Sequence, residues 1–352
     1  MSVTDRPVVV VVPGDLHLTE RGLPNHNAAH WAVGEVNHLV RPDFVQFIGD
    51  NVQDASADQF ALFRELTDRL RVPWYALIGD HDVKGDLTAS RFREYVGDPT
   101  GSHSVGGFRF VRLNTQEARP VGLSADQISW FRTEVDAAQK AGERVVVFQH
   151  NYPYQVWEDF AGPGIDSWRE IVQTHRIHAI ITGHTHYWQV ANDGRNAVVT
   201  TRSIGDPEGG PPGYTVAVFQ AENFAVTYRT VEDHGPLVLI THPREAILAT
   251  SPAHVVNGVD EVRVRVWSAS WVEAAEFRLD RGPWCPLESV SEGLWRGSLP
   301  GDQFAKGIHH LTVRVETREG TGEQEIAFAV DPTGRYTAIP CVRPVVNATN
   351  FC

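Results

Sequence analysis

Cysteine is scarce in this chain, three residues in 352, and basic side chains are outnumbered, 31 Lys and Arg against 44 Asp and Glu. The thiols Cys285, Cys341 and Cys352 are odd in number, lie in the last fifth of the chain and show no zinc-type spacing. They do not build a cysteine metal site, and read as incidental thiols or as one disulfide tying down the tail. The net charge of −13 argues against a nucleic-acid polymer as partner, which normally demands a basic footprint. A small anionic substrate drawn in by a local metal cluster is compatible with that charge. Long apolar runs are also missing. Asp5 and Arg6 precede only a short apolar stretch broken at Pro13, neither a signal peptide nor a membrane span, so a cytoplasmic enzyme without a membrane partner is expected.

The length suggests two domains with enough apolar content for a core in each. Short apolar runs alternating with helical stretches mark an α/β domain. Strands are expected over 8–12, 44–48, 74–78, 108–113, 145–148 and 179–181, then over 197–201, 216–219 and 224–228 as a closely spaced meander. Helices are expected over 28–39, 57–70, 89–95, 124–141 and 165–174, with Ser124 and Gln127 forming a capping box. Around 234–251 the character changes. Val262, Val264 and Val266, then Leu311, Val313 and Val315, alternate with polar residues, and turn clusters at 280–283, 291–293 and 319–322 separate such runs. This predicts a small β-sandwich. The expected division is 1–240, 250–331 and a Pro-rich segment over 332–352 that is a tail or a strap over a neighbouring surface. The tail or the second domain also offers a route to a homo-oligomer.

Five short clusters of Asp and His are the most informative feature. They are Asp15 and His17 in PGDLH, Asp50 in IGDN, Asp80 and His81 in IGDHD, His150 in FQHN, and His184 and His186 in TGHTH. Three follow β-branched runs through a Gly, which is how carboxylates are delivered to the strand C-termini of an α/β sheet. Taken singly, a Gly-Asp at a strand end is more often a turn or helix cap than a ligand. Taken together, the seven residues Asp15, His17, Asp50, Asp80, His150, His184 and His186 are all oxygen or imidazole donors. Such a set suits Mn, Fe, Zn or Co, and two ions bridged by one carboxylate would use seven ligands well.

This ordered series resembles the calcineurin-like metallophosphoesterase superfamily over residues 8–229. The resemblance implies a four-layer α-β-β-α sandwich whose sheet edges hold a dinuclear metal centre; separately, residues 280–284 and 307–315 resemble immunoglobulin-like or fibronectin-like sandwiches. It implies that Asp15, His17 and His186 bind a first metal, that Asp50 bridges, and that Asp80, His150 and His184 bind a second. It implies further that His81 contacts the scissile phosphate or protonates the leaving oxygen, with Asp82 orienting it, while a metal-bridging hydroxide attacks phosphorus.

One position departs from the family pattern, which has Asn where this chain has Asp80. Three carboxylates, Asp15, Asp50 and Asp80, against two divalent ions leave one net positive charge, which a hydroxide cancels. A less positive centre should prefer a monoanionic diester to a dianionic monoester and suit a trivalent ion such as ferric iron. Asn51 and Arg202 are the expected substrate contacts, with Tyr152, Tyr154, His26, His30 and His103 as further candidates. The leading reading is hydrolysis of small soluble phosphodiesters. The alternatives are a phosphomonoesterase, or a non-catalytic metal- or phosphate-binding protein with a degenerate centre.

Overall fold

The computed structural model describes residues 6–153, 160–299 and 305–343. The strand and helix order begins β1 (Val8–Pro13), α1 (Pro24–Glu35), β2 (Phe44–Phe47), α2 (Ala57–Thr67), β3 (Trp74–Ala76), α3 (Ser90–Tyr95), β4 (Gly101–Val105) and β5 (Phe108–Arg112). It continues α4 (Ala125–Ala141), β6 (Arg144–Phe148), α5 (Ile165–Thr174), β7 (Ile177–Thr182), β8 (Gln189–Asn192), β9 (Ala197–Thr200), β10 (Gly213–Gln220) and β11 (Asn223–Thr230). These strands form a five-stranded sheet, β11-β10-β1-β2-β3, and most of a seven-stranded one that ends β9-β7-β6-β5-β4. In the first, β1, β2 and β3 run parallel; in the second, β5, β6, β7 and β9 do.

Alternation within β1 explains how the sheets are covered. Val9 and Val11 join Ala29, Val33, Phe60 and Phe63 of α1 and α2 in one core cluster. Val8, Val10 and Val12 point the other way, into a cluster with Phe108, Phe110, Val146 and Phe148 of the second sheet. The opposite face of that second sheet packs on Ile128, Phe131, Trp168 and Ile171 of α4 and α5. Continuous apolar runs thus follow from strands covered on both faces.

Local signals held in part. Ser124 Oγ accepts from the Gln127 backbone N–H at 3.1 Å, but the Gln127 side chain donates to Asn114 O and Glu117 rather than returning to Ser124. Only half of the capping box forms. The first helix starts four residues earlier than expected because Pro24 occupies its first turn, where a missing N–H costs nothing.

The remaining strands are β12 (Leu237–His242), β13 (Asp260–Trp267), β14 (Val272–Leu279), β15 (Trp284–Pro286), β16 (Glu288–Ser291), β17 (Leu294–Leu299), β18 (Gly307–Thr317), β19 (Gly320–Val330) and β20 (Cys341–Arg343). Two four-stranded sheets result, β12-β13-β17-β16 and β15-β14-β18-β19. The alternating residues Val262, Val264, Val266, Leu311, Val313 and Val315 share one core with Phe277 and Phe328. β12 starts within the stretch 1–240 expected for the first unit and ends two residues past it, and it pairs with β13. The end of the described chain is a strap: β20 pairs antiparallel with β8 and completes the edge of the seven-stranded sheet. Cys352 and Tyr154 lie outside the described residues. None of the helices described is long and apolar enough to cross a membrane.

Candidate metal centre

Each of the five clusters follows a strand of the two sheets. Asp15 comes after β1, Asp50 after β2, Asp80 after β3, His150 after β6, and His184 and His186 after β7. The parallel strands bring their C-termini to one edge, and the seven side chains meet there. Two groups form: Asp15, His17, Asp50 and His186, and then Asp50, Asp80, His150 and His184, the ligand atoms in each within 4.8 Å of one another. Asp50 belongs to both.

The backbone is bent to achieve this. Among the described residues ten non-glycine residues have positive φ, and five of them are Asp15, His17, Asp50, His184 and His186. Left-handed backbone at a non-glycine residue is uncommon and persists where surrounding structure imposes it, which is typical of functional sites. Glycine makes the close approach: a Cβ on Gly79 would stand 2.1 Å from Asp50 Oδ1, so the third loop lies directly against the second.

Hydrogen bonds then aim the donors. Asp15 Oδ1 accepts from the His184 N–H at 3.0 Å and Asp50 Oδ1 from the His81 N–H at 2.9 Å. Asp50 Oδ2 is left facing His150 Nε2 at 3.4 Å and His17 Nε2 at 3.8 Å, one in each group. His150 Nδ1 donates to Ile48 O at 2.9 Å, which leaves Nε2 of the neutral ring a lone pair. That lone pair confronts Asp50 and also Asp80 Oδ1 at 3.3 Å, with His184 Nδ1 at 3.1 Å. His17 Nε2 and His186 Nε2 are 3.2 Å apart. Acceptors converging on acceptors in a buried site repel unless a cation lies among them. The residues therefore fit a pair of metal ions, and the oxygen and imidazole donor set is the one such ions take.

The electrostatics report the same demand for positive charge. Burial works against the charge of His150, but Asp50 and Asp80 raise its pKa well above the ordinary value. Burial also raises Asp50, yet His150 outweighs it and holds the carboxyl at about 2. Asp80 is likewise held far below the usual carboxylate range: burial opposes this, and the adjoining His150 and His184 rings outweigh it.

His81 stands beside the first group, its ring centroid 4.5 Å from that of His17. Its Nδ1 is shared between Gln53 O at 2.9 Å and Lys84 Nζ at 2.7 Å, and Nε2 lies 3.9 Å from Asp80 Oδ2. Asp82 does not orient this ring, contrary to the sequence reading. It accepts instead from Asn51 Nδ2, Val52 N and Gly79 N, and burial followed by the charge of Asp50 pushes its pKa up to about 8.

Several expected substrate contacts are placed differently. The Asn51 Nδ2 amino group donates to Leu77 O and Asp82, which ties the second and third loops together. The Arg202 guanidinium lies over the Tyr228 ring, 4.7 Å from its centroid, and donates to Pro211 O. His103 is stacked on Tyr75 and Phe110, Tyr152 is buried in the core under α4 and α5, and His26 and His30 face one another at 3.1 Å. Conversely, the sequence reading missed Asp206 and Glu208, whose carboxylates lie 3.9 and 3.8 Å from His186 Nδ1. The Gly- and Pro-rich composition of the loop 205–213 that carries them was the signal for a segment bordering the site, and the loop is pressed onto the first cluster: a Cβ on Gly205 would stand 2.5 Å from Leu16 O.

Comparison with known proteins agrees with this geometry. The family model described as calcineurin-like phosphoesterase matches residues 8–188. The chain is 25% identical over 163 residues to a probable glycerophosphodiester phosphodiesterase, GpdQ, of Arcobacter nitrofigilis, covering 42% of this chain and 59% of that protein. It is 26% identical to human tartrate-resistant acid phosphatase type 5, covering 49% and 66%. It is 31% identical to the 3',5'-cyclic adenosine monophosphate phosphodiesterase CpdA of Pseudomonas aeruginosa, covering 46% and 61%. The chain thus spans 59 to 66% of the length of these relatives. Among solved structures, a dimetal phosphatase of Danio rerio superposes with a TM-score of 0.54 at 14% identity, covering 63% of this chain and 96% of that one. That likeness shows the fold alone.

Proposed function

The chain belongs to the calcineurin-like phosphoesterase family, and on that footing we propose that it hydrolyses small phosphodiesters with two metal ions. One observation carries the proposal: two donor groups share Asp50, whose Oδ2 faces both while its Oδ1 is held by the His81 N–H. Asp15, His17, Asp50 and His186 would hold one ion, and Asp50, Asp80, His150 and His184 the other. Bound ions polarise a phosphoryl oxygen and lower the pKa of a water to near neutrality.

The chain's own residues do the rest. The Ile48 carbonyl fixes the His150 tautomer, as outer partners of ligand imidazoles do. His81, with Nδ1 occupied by Gln53 and Lys84, has Nε2 left to hand a proton to the leaving oxygen. Asp206 and Glu208 flank His186 Nδ1 and add negative charge on the side of the first ion.

Diester preference rests on charge. Asp80 is a carboxylate within 3.1 Å of His184 Nδ1, so it acts on the centre directly, and a dianionic monoester meets more repulsion there than a monoanionic diester. The phosphodiesterase relatives are compatible with this; the acid phosphatase relative supports the monoesterase alternative. Turnover of bis(p-nitrophenyl) phosphate against p-nitrophenyl phosphate by the metal-loaded protein separates them: higher kcat/KM for the diester is expected, and monoester preference overturns it.

The same proposal includes the layering and the second unit. The core clusters on either side of β1 support a helix-sheet-sheet-helix arrangement. The paired four-stranded sheets support an immunoglobulin-like accessory module that begins at β12, a little before the boundary expected from sequence.

A further inference from the structure

At the other end of β7 from the metal centre lies a cavity of about 260 Å³. β7 is six residues long, so the two sites are roughly 20 Å apart along the strand. The lining includes Arg176 and His178 from the start of β7, Arg195 from the β8–β9 turn, and Thr250, Ser251 and His254 from the segment after β12. Both sequence halves contribute. Five of these six carry a side-chain donor or can present one, while the ring nitrogens of His254 face Thr250 N and Arg244 Nη1, and no carboxylate is among the described lining residues.

The shell behind the cavity is more positive still. Arg244 is 1% exposed, donates through Nη1 to Glu222 O and lies 3.1 Å from His254 Nε2. Its Nε and Nη2 have no partner among the described residues, and neither has Ser251 Oγ. Glu222 pairs with Arg144 and Arg176 and lies 4.0 Å from His254 Nε2, and Asp193 accepts from the Arg195 backbone N–H and the Asn196 side chain. Burial brings the Arg244 pKa down to about 9. A buried guanidinium whose N–H groups lack hydrogen-bond partners is costly; Arg244 stands behind the lining residue His254 and does not itself line the cavity, and its charge favours an anion there through space. In a chain whose net charge is −13, Arg144, Arg176 and Arg244 around the carboxylate of Glu222 are a local excess of positive charge.

We propose that this cavity is a second anion site, built for a phosphate-sized tetrahedral oxyanion, either free inorganic phosphate or the phosphoryl end of a small ester. Arg176 and Arg195 supply charge at the mouth, and Ser251 and Thr250 supply hydroxyl donors within. The size suits this class: the volume falls just below the range of drug-sized pockets. The inference stands on residues outside the metal centre and does not depend on the diesterase reading.

The test is calorimetric titration of the metal-loaded full chain with inorganic phosphate, and separately with glycerol phosphate. Two binding events per chain are expected, one at the metal centre and one here. Ser251→Glu, which puts a carboxylate into the cavity, should abolish the second event and keep hydrolytic activity; Arg195→Glu, an exposed change at the mouth that folding tolerates, should do the same. Binding of inorganic phosphate identifies the free ion as ligand, and binding of glycerol phosphate alone identifies the ester. If neither substitution removes an event for either compound, the proposal is overturned, whatever the metal centre binds.

Discussion

His150 Nε2 lies 3.3 Å from Asp80 Oδ1 while the other nitrogen of the same ring donates to Ile48 O. The pairing sets a lone pair against a carboxylate, and the residue that creates it is the one that departs from the family pattern. Asp80→Asn returns a neutral ligand and adds one positive charge to the centre. We expect the diester-to-monoester ratio of kcat/KM to fall about tenfold, equivalent to about 1.4 kcal/mol. An unchanged ratio would remove Asp80 from the account of substrate charge.

His81 is expected to act on the proton and not on the metals. In His81→Ala, kcat should drop by about 10²- to 10⁴-fold with metal content unchanged. The loss should shrink for esters with acidic leaving groups, which need no protonation. A loss independent of the leaving group would make His81 a substrate contact instead of an acid.

Gly79 allows the third loop to touch Asp50. Gly79→Ala places a Cβ 2.1 Å from Asp50 Oδ1, so Asp50 must move. Metal content should fall in this variant although no ligand has been removed, and elemental analysis of the purified protein reads it directly.

The clusters were legible in the sequence because a parallel strand ending in Gly and then Asp or His, as four of the five do, has one place to put that side chain. The supporting groups were not. Gln53 acts through its backbone carbonyl, which any residue could provide, and Asp206 and Glu208 reach His186 from a Gly- and Pro-rich loop with no periodicity to follow. Asn51 and Arg202 sit beside the motifs in sequence, but side-chain direction decides their partners, and those are Asp82 and Tyr228. β4 and β8 escaped because their residues, such as Ser102, His103 and Gln189, are polar. Both strands are held by pairing with a neighbour rather than by their own apolar pattern.

His103 gives the fold a pH dependence. Burial, then the charge of Arg112, lowers its pKa to about 4 from 6.5. Between these values the unfolded chain binds a proton that the folded one refuses, so the contribution to stability is present above pH 6.5 and lost as pH falls toward 4. His103→Phe, which keeps the stack on Tyr75 and Phe110, should narrow the difference in Tm between pH 8 and pH 5. An unaltered difference would mean that other groups govern acid stability.

The shared position of Asp50 is the core of the account, and metal stoichiometry tests it most directly. Elemental analysis of the reconstituted protein should give two ions per chain, and Asp50→Ala should retain fewer than one. One ion in the parent, or two in the Asp50→Ala protein, would contradict a centre built around that carboxylate.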